Sequence, residues 1–397
     1  MIPINEQPYP LPDGWQWVTL DSVAECLDNL RSPVNAAERA KRLSKIPYYG
    51  ATGQVGWIDD FLTDEQLVLL GEDGAPFLDM FKDKAYIIEG KAWVNNHAHI
   101  LRSRFGSVGN KFLCHYLNAF DFSDYVNGTT RLKLTQAKMK KIPIPLPPFD
   151  EQQRIVALLD EVFAKLDEAK ALAQSVVDGS ELRRTAILHK AFTGELTKLW
   201  RDEHETTLDS WKKKFLSDAL ISSKQKTNDF VSSDLKYVGL ENMEKNGGRI
   251  SFQTADEIRS TKNIFRIGDL LYGKLRPYLN KHGVAKFDGV CSTDILVFKA
   301  NEQAEIEFIN YFLSLPKFIE YAVANSKGIN LPRVSEKIIL RTEIFLPPLQ
   351  EQKEIIRLLD DLLSREQRTK ELAGKILERV ELLEKSVSTR VFHGNLK

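Results

Sequence analysis

The spacing of apolar residues over positions 150–194, and again over 350–394, predicts two long amphipathic helices. In the first, apolar residues recur at alternating intervals of four and three, which is typical of a coiled-coil seam. This seam comprises Ile155, Leu159, Val162, Leu166, Ala169, Ala173 and Val176. The same phase in the second helix gives Ile355, Leu359, Leu362, Ala373, Ile376, Val380, Leu383 and Val387, interrupted by Glu366 and Thr369. A helix with a single apolar stripe needs a partner to bury it.

The two helices lie within an internal repeat, because residues 144–196 and 344–396 align without a gap at an offset of 200. Both copies contain Leu-Pro-Pro, Glu-Gln and Leu-Leu-Asp motifs and end alike, at Gly194 or Gly394. The prolines are expected to stop the preceding element, and the two glycines to end the helices in the left-handed conformation. Residues 150–153 have the form of a capping box for the first helix.

The segments between the helices predict two mixed globular domains. Short runs with β-branched and aromatic residues predict strands at 65–70, 85–88, 250–253 and 295–298, and brief helices are expected at 111–120 and 305–314. The two globular segments resemble each other much less than the two helices do. We therefore expect the helices to meet a common partner and the domains to meet different targets.

The pattern as a whole predicts an α+β fold with a pseudo-two-fold internal repeat. Duplicated halves that pair through equivalent surfaces are expected to place the two coiled-coil helices antiparallel. At about 40 residues each, these helices would be roughly 60 Å long and would join the two domains. The predicted boundaries are 1–143 and 201–343 for the domains, and 144–200 and 344–397 for the helices.

Composition excludes several classes of protein. The chain is 43% hydrophobic and 28% charged with a formal net charge of zero, and no apolar stretch is long enough to span a membrane. The first residues lack the basic start and apolar core of a secretory signal. Three widely separated cysteines favour a reducing cytoplasm over disulfides or a thiolate metal site.

Positive charge is concentrated locally in loops 127–141, 273–286 and 327–335. Lysine and arginine neutralise phosphates, and arginine and asparagine can pair with base edges, so these loops predict contacts with DNA. Solvated basic loops also occur in proteins that bind no nucleic acid, but here each half of the chain has one. The candidate DNA-binding residues are Thr129, Thr130, Arg131, Lys133, Lys274, Arg276, Tyr278, Asn280, Lys281, Lys327, Asn330 and Arg333.

The repeated LPP-x-x-EQ-x-x-I-x-x-LLD stretch, which leads to FTGEL or FHGNL, resembles the conserved regions of type I restriction-modification specificity subunits (HsdS). LPDGWQWVTL at 11–20 is similar to the entry to a first target recognition domain in that family. GDLLYGKLRPYLNK at 268–281 and YYGATGQVGWIDD at 48–60 look like two recurrent types of recognition domain. The resemblance covers essentially the whole chain, in the family's order of domain, helix, domain, helix.

This resemblance implies a DNA-reading subunit in which each target recognition domain reads one half of a split double-stranded site. It implies that two modification subunits dock on the helices and that restriction subunits join the full complex. S-adenosylmethionine and ATP are then expected on those partners, and no cofactor on this chain. The candidate docking residues are Pro147, Pro148, Glu151, Gln152, Pro347, Pro348, Glu351 and Gln352.

The alternative functions are a coiled-coil scaffold with protein-binding end domains and a DNA nuclease. Glu89 and Lys91, with Asp73 or Asp79 upstream, have the form of a metal-dependent nuclease core, but Glu-x-Lys is common and the second half lacks it. His97 and His99 could project as two metal ligands, without an evident third. The chain also lacks a phosphate-binding GxxxxGK[ST] loop and an adenine methyltransferase motif. The sequence therefore predicts no catalytic and no metal-binding residue.

Overall fold

The computed structural model describes residues 2–3, 7–227, 236–254 and 260–394. The chain divides into two compact units, which we call unit 1 (Met1–Ser175 with Ala373–Lys397) and unit 2 (Val176–Leu372). Each unit contains one globular domain and a segment of both long helices. Residues 395–396, the last of the second repeat copy, lie outside the described residues.

Unit 1 contains two four-stranded sheets, and the buried strand Leu67–Gly71 lies inside one of them. One sheet has the order β2-β9-β6-β7 and is antiparallel, and the other has the order β4-β3-β8-β5 and contains the parallel pair of β3 and β8. The strands are β1 (Gln16–Thr19), β2 (Ala24–Cys26), β3 (Ile46–Gly50), β4 (Gly53–Ile58), β5 (Thr63–Asp64), β6 (Leu67–Gly71), β7 (Ala85–Ile88), β8 (Lys91–Val94), β9 (Ala98–Ser103), β10 (Val126–Asn127), β11 (Lys133–Leu134) and β12 (Pro143–Leu146). The helices that start in this unit are α1 (Leu20–Val23), α2 (Ala36–Lys41), α3 (Gly106–Ala119), α4 (Gln136–Met139) and α5 (Phe149–Asp178).

Unit 2 repeats this topology with one additional edge strand, β15. It has an antiparallel sheet of order β14-β22-β19-β20 and a second sheet of order β15-β18-β21-β16-β17. The second sheet again contains one parallel pair, β16 with β21. The strands are β13 (Lys212–Phe215), β14 (Leu220–Ser222), β15 (Lys226–Thr227), β16 (Lys236–Val238), β17 (Gln253–Thr254), β18 (Lys262–Phe265), β19 (Leu270–Gly273), β20 (His282–Val284), β21 (Gly289–Cys291), β22 (Ile295–Ala300) and β23 (Glu343–Leu346). The helices are α6 (Ser180–Phe192), α7 (Lys198–Glu203), α8 (Ile306–Phe312), α9 (Pro316–Ala324), α10 (Glu336–Leu340) and α11 (Leu349–Phe392).

The shared topology means that the two globular domains are structural copies, although their sequences have diverged. Each domain also begins and ends on a pair of antiparallel strands, β1 with β12 and β13 with β23. The predicted α+β fold is confirmed. Of the predicted strands, 250–253 is wrong for most of its length, because β17 begins only at Gln253.

The helix segments run antiparallel within each unit. In unit 1, Ile155 and Leu159 share a buried cluster with Phe392, and Lys170 Nζ lies 3.9 Å from Glu381 Oε1. In unit 2, Leu188 and Ala191 pack in one cluster with Ile355 and Leu359, and Arg183 pairs with Glu366 at 2.9 Å. In both units, higher numbers in one helix therefore meet lower numbers in the other. No helix in the described part of the chain has the length and apolar character needed to cross a membrane.

The first predicted helix is interrupted and the second is continuous. A single residue, Gly179, separates α5 from α6, whereas Arg379 occupies the matching position inside α11. Glycine lacks a side chain to pack and weakens a helix interior, which favours a break at this position. Helix α5 begins at Phe149, so Asp150 lies within its first turn and the predicted capping box is wrong.

Of the two residues in the polar gap of the second seam, Glu366 forms an ion pair and Thr369 is exposed. Glu366 accepts hydrogen bonds from Arg183 Nε at 3.1 and 3.0 Å, so the pair joins α11 to α6 within unit 2. The predicted seam is wrong at Ile376 and Leu383, which are 48% and 44% exposed. Leu377 and Glu384 are less exposed than these two residues and take the inward positions instead. The inward-facing residues of this part of α11 are therefore Ala373, Leu377, Val380, Glu384 and Val387. Both glycine ends are confirmed, since Gly194 and Gly394 have φ of +79° and +69°.

Candidate nucleic-acid interface

Each unit presents a short hairpin at the same position of its domain. In unit 1 it joins β10 to β11, with Asn127 paired to Lys133, and in unit 2 the matching bridge pairs Lys327 with Arg333. Gly128 has φ of +113°, and an added Cβ would lie 2.4 Å from the Arg131 carbonyl oxygen. Gly328 has φ of +108°, so both hairpin tips require glycine. The hairpins are thus equivalent in backbone and differ in side chains.

A short helix fixes the base of each hairpin. The Thr135 side chain accepts a hydrogen bond from Lys138 N at the start of α4, and Ser335 accepts one from Ile338 N at the start of α10. Leu134 and Val334, the residues just before these caps, are buried. Each hairpin therefore projects from a fixed point on the domain surface.

A turn that follows the central strand supports each hairpin. In unit 1, Gly74 N donates to Leu132 O at 3.1 Å and Leu134 N donates to Glu72 O at 2.7 Å. In unit 2, Arg276 N donates to Pro332 O at 2.7 Å and Val334 N donates to Lys274 O at 3.0 Å. The turns 71–74 and 273–276 are therefore equivalent. In unit 2 this contact brings together two of the loops that the sequence predicts to bind DNA.

Carboxylates lie among the cations of the unit 1 hairpin. Asp73 Oδ1 accepts a hydrogen bond from Arg131 Nη2 at 3.0 Å and lies 2.5 Å from His97 Nδ1. Glu72 contacts Lys133 Nζ at 3.0 Å and also pairs with Arg31. Burial raises the pKa of Glu72, but hydrogen bonds from these two cations bring it below its ordinary value. The net charge of this surface is consequently small.

The unit 2 interface has a different set of charges. Asp294 accepts from Arg333 Nε at 3.3 Å and lies 4.0 Å from Lys274 Nζ. Arg276 has a left-handed φ of +53°, which is uncommon for a residue with a side chain and concentrates at functional sites. Tyr278, two residues later, is 52% exposed. These two side chains lie on the surface beside the hairpin.

Most of the predicted DNA-binding residues are at least partly accessible, and one is not. Asn280 is 1% exposed, and its Nδ2 donates to Leu313 O at 2.9 Å and lies 3.2 Å from His282 Nε2. Burial lowers the pKa of His282 to about 4, so the ring is neutral and Nε2 can accept this hydrogen bond. A direct DNA contact by Asn280 does not fit this position. Those predicted residues with accessible side chains are Thr129, Thr130, Arg131, Lys133, Lys274, Arg276, Tyr278, Lys281, Lys327, Asn330 and Arg333.

The predicted docking residues also divide into buried and accessible ones. Gln152 and Gln352 are buried and donate to the carbonyl oxygens of Pro147 and Pro347, at 3.0 and 2.7 Å. Glu351 is completely buried, and both of these prolines are buried as well. Because these five residues have internal partners or no exposed surface, they stabilise the helix starts. Pro148 and Pro348 are exposed and Glu151 is partly exposed, so the docking prediction stays open for these three.

The helices expose another set of residues that the seam pattern did not single out. Leu172 and Leu372 occupy the same repeat position and are 63% and 54% exposed, and Leu182 and Leu382 are 75% and 58% exposed. Exposed leucines at matched positions of both repeat copies are typical of a surface that another protein covers. The sequence shows that these leucines lie 200 positions apart in pairs, but only their exposure in the structure distinguishes them from core leucines.

One cluster has the composition of a metal site. Ligand atoms of Asp28, Glu72 and His99 lie within 4.8 Å of one another. However, Arg31 pairs with both carboxylates, and His99 uses its nitrogens on Asp28 at 2.7 Å and on Leu134 O at 2.9 Å. The donor set is therefore already taken up by protein groups and does not fit a metal ion.

The residues proposed for a nuclease core are also engaged elsewhere. Asp73 pairs with His97 and Arg131, and Lys91 Nζ lies 4.5 Å above the Phe61 ring. Glu89 lies in the turn between β7 and β8, and in the described part of the chain it forms no metal-binding cluster with Asp73 or Asp79. The geometry gives no support to a nuclease at this place.

The duplicated domains, the antiparallel helix segments and the cation-bearing hairpins define an internally repeated two-domain recognition protein. The model of the family described as type I restriction modification DNA specificity domain matches residues 12–176 and 209–378. The chain therefore belongs to this family.

Relatives agree with this assignment. The chain is 26% identical to the EcoDI type I restriction enzyme specificity subunit of Escherichia coli, over 97% of this chain and 89% of that one. It is 37% identical to a putative specificity subunit of Haemophilus influenzae, but that match spans only 38% of either chain. The HsdS subunit from Thermoanaerobacter tengcongensis has a TM-score of 0.61 at 17% identity and covers 99% of this chain and 100% of that one. A structure from work on assembly and conformational transition of the type I R-M system has a TM-score of 0.66, also at 17% identity, and covers 98% of this chain and 100% of that one. These structural likenesses establish the fold.

Proposed function

We propose that this chain is the DNA-reading subunit of a type I restriction-modification complex and that each unit reads one half of a bipartite site. The observation that carries the proposal is the repeated hairpin and supporting turn, which have one backbone but two sets of charged side chains. Equivalent frames with different side chains suit two different half-sites, since base readout depends on a few side chains in the groove.

The chemistry of the complex is assigned to its partners. Two modification subunits would bind S-adenosylmethionine and methylate the DNA, and restriction subunits would use ATP. This chain then contributes recognition and no catalytic residue. The three cysteines are free, which is in keeping with a place in the cytoplasm.

Half-site modularity is the central test of this function. Arg131→Ala is expected to weaken binding about 10- to 100-fold at the half-site read by unit 1, because one arginine pair with a base contributes about 1–3 kcal/mol. Arg276→Ala is expected to act only at the other half-site. Duplexes selected by the wild-type chain with its modification subunits, and then randomised in one half at a time, would be compared by equilibrium binding across a salt series.

Each variant is the control for the other in this experiment. Loss of discrimination at both half-sites in either variant contradicts the assignment of one half-site to each unit. Equal binding of selected and random duplexes by the wild-type complex at every salt concentration contradicts the function itself.

The exposed leucines are proposed as docking positions for the modification subunits. Leu172→Glu with Leu382→Glu, both in unit 1, is expected to weaken modification-subunit binding about tenfold or more, because each change puts a charge into an apolar contact. Sedimentation of the mixed subunits measures the loss. Ala157→Glu, at another exposed position of α5, is the matched control and is expected to bind normally. Unchanged assembly of the leucine variant rejects this surface.

A further inference from the structure

An exposed arginine lies against a carboxylate in both candidate interfaces. In unit 1, Arg131 Nη2 donates to Asp73 Oδ1 at 3.0 Å, and the two side chains are 60% and 21% exposed. In unit 2, Arg333 presents Nε at 3.3 Å and Nη2 at 3.5 Å to the two oxygens of Asp294, with 53% and 31% exposure. Each arginine is thus hydrogen-bonded to a carboxylate on one side and open to solvent on the other.

The two pairs come from different positions of the same fold. Gly71 pairs with Ala98 and Gly273 pairs with Ile295, so Asp73 matches Leu275, and Asp294 matches His97. The hairpin bridges show that Arg333 matches Lys133 rather than Arg131. Neither member of the pair occupies a common position in the two domains. The same arrangement is built from non-equivalent residues, which indicates a common demand on the two surfaces.

Phosphate binding alone does not explain these carboxylates. A surface that only neutralises the DNA backbone gains from every cation, and a nearby carboxylate repels the phosphates. The ion pairs are also too exposed to stabilise the fold by much. A fixed guanidinium, in contrast, presents a planar pair of donors that matches the O6 and N7 acceptors of guanine.

We propose that Asp73 and Asp294 are specificity-determining positioning residues: each orients one arginine, Arg131 or Arg333, for a bidentate contact with a guanine edge and repels misplaced phosphate. This inference rests on the proposed DNA-reading function. It predicts that removal of the carboxylate has opposite effects on two quantities. Non-specific binding to DNA becomes stronger, whereas discrimination between selected and scrambled DNA becomes weaker. A purely structural role would weaken both together.

The test uses the full chain with its modification subunits, a duplex enriched from a random library by the wild-type complex, and duplexes scrambled in one half. Asp73→Asn is expected to tighten binding to fully scrambled DNA about threefold and to reduce discrimination about tenfold at the unit 1 half-site only. Asp294→Asn is expected to do the same at the unit 2 half-site. Glu161→Gln and Glu354→Gln, which remove an exposed and a partly exposed helix carboxylate paired with Lys165 and Arg357, are the charge-matched controls and leave discrimination unchanged.

Arg131→Lys and Arg333→Lys provide a second measurement that does not depend on the aspartates. Lysine keeps the positive charge for phosphate but lacks the planar fork, so non-specific affinity is expected to stay constant while discrimination falls about tenfold. The inference is overturned if the aspartate variants keep wild-type discrimination, or if they lose affinity for selected and scrambled DNA alike. A wild-type complex that does not discriminate at all overturns the proposed function instead.

Discussion

Replacement of Glu351 by alanine is expected to destabilise unit 2 by about 3–5 kcal/mol, because it leaves a buried arginine without its counter-charge. The Glu351 carboxylate is completely buried and accepts from Arg201 Nη1 at 2.6 Å and from Thr197 Oγ1 at 2.7 Å. Its other oxygen accepts from Trp211 Nε1 at 2.8 Å. Urea unfolding with site-resolved hydrogen exchange would measure the change in the free energy of unfolding of unit 2.

The internal repeat supplies the control for this substitution. Glu151 occupies the same position of the first repeat copy, but its partner is Arg154, at 2.7 Å on the helix surface. Glu151→Ala is therefore expected to cost less than about 1 kcal/mol. Equal losses from the two substitutions would contradict the distinction between a buried and an exposed ion pair.

Phe392→Ala is expected to destabilise unit 1 by about 3–5 kcal/mol, although this residue is almost 250 positions away from the end of that domain along the chain. Its ring is 2% exposed and lies 5.5 Å from the Phe112 ring and 5.1 Å from the Tyr116 ring. Removal of the ring leaves a cavity against α3. Hydrogen exchange is expected to accelerate in β6 and β9, while the amides of unit 2 keep their protection.

Phe192→Ala is the mirror experiment. Phe192 is the last residue of α6 as Phe392 is the last residue of α11, and its ring lies 4.9 Å from that of Phe308 in unit 2. Its loss is expected to expose the amides of unit 2 and to spare unit 1. The opposite pattern, or acceleration in both units, would contradict the division of the helices between the two domains.

The sequence predicts the long helices well because their pattern is local. Apolar spacing gives Ile155, Leu159 and Ile355 as buried, and the glycine ends follow from backbone chemistry. Rotation of the helix is less well specified, since one apolar residue can replace its neighbour in the seam. Ile376 is therefore exposed where Leu377 turns inward.

The candidate site is predicted less completely because its groups come from distant segments. The cations of the hairpins can be recognised in the sequence as charge without neighbouring acids. The carboxylates of Asp73 and Asp294, however, come from distant turns, after β6 and before β22. The sequence did contain a signal for the supporting turns. LLG at 69–71 and LYG at 271–273 each end a buried strand with the glycine that starts the turn. Burial of Asn280 and Glu351 depends on packing that no linear pattern reports.

The antiparallel pairs of β1 with β12 and β13 with β23 have an evolutionary consequence. Each recognition domain enters and leaves through adjacent strands, over the four-residue registers Gln16–Thr19 with Pro143–Leu146 and Lys212–Phe215 with Glu343–Leu346. A different domain with the same pair of ends could replace either one without a change in the path of the remaining chain. Recombination at these stems would give new combinations of half-sites while the helices, and whatever docks on them, stay the same.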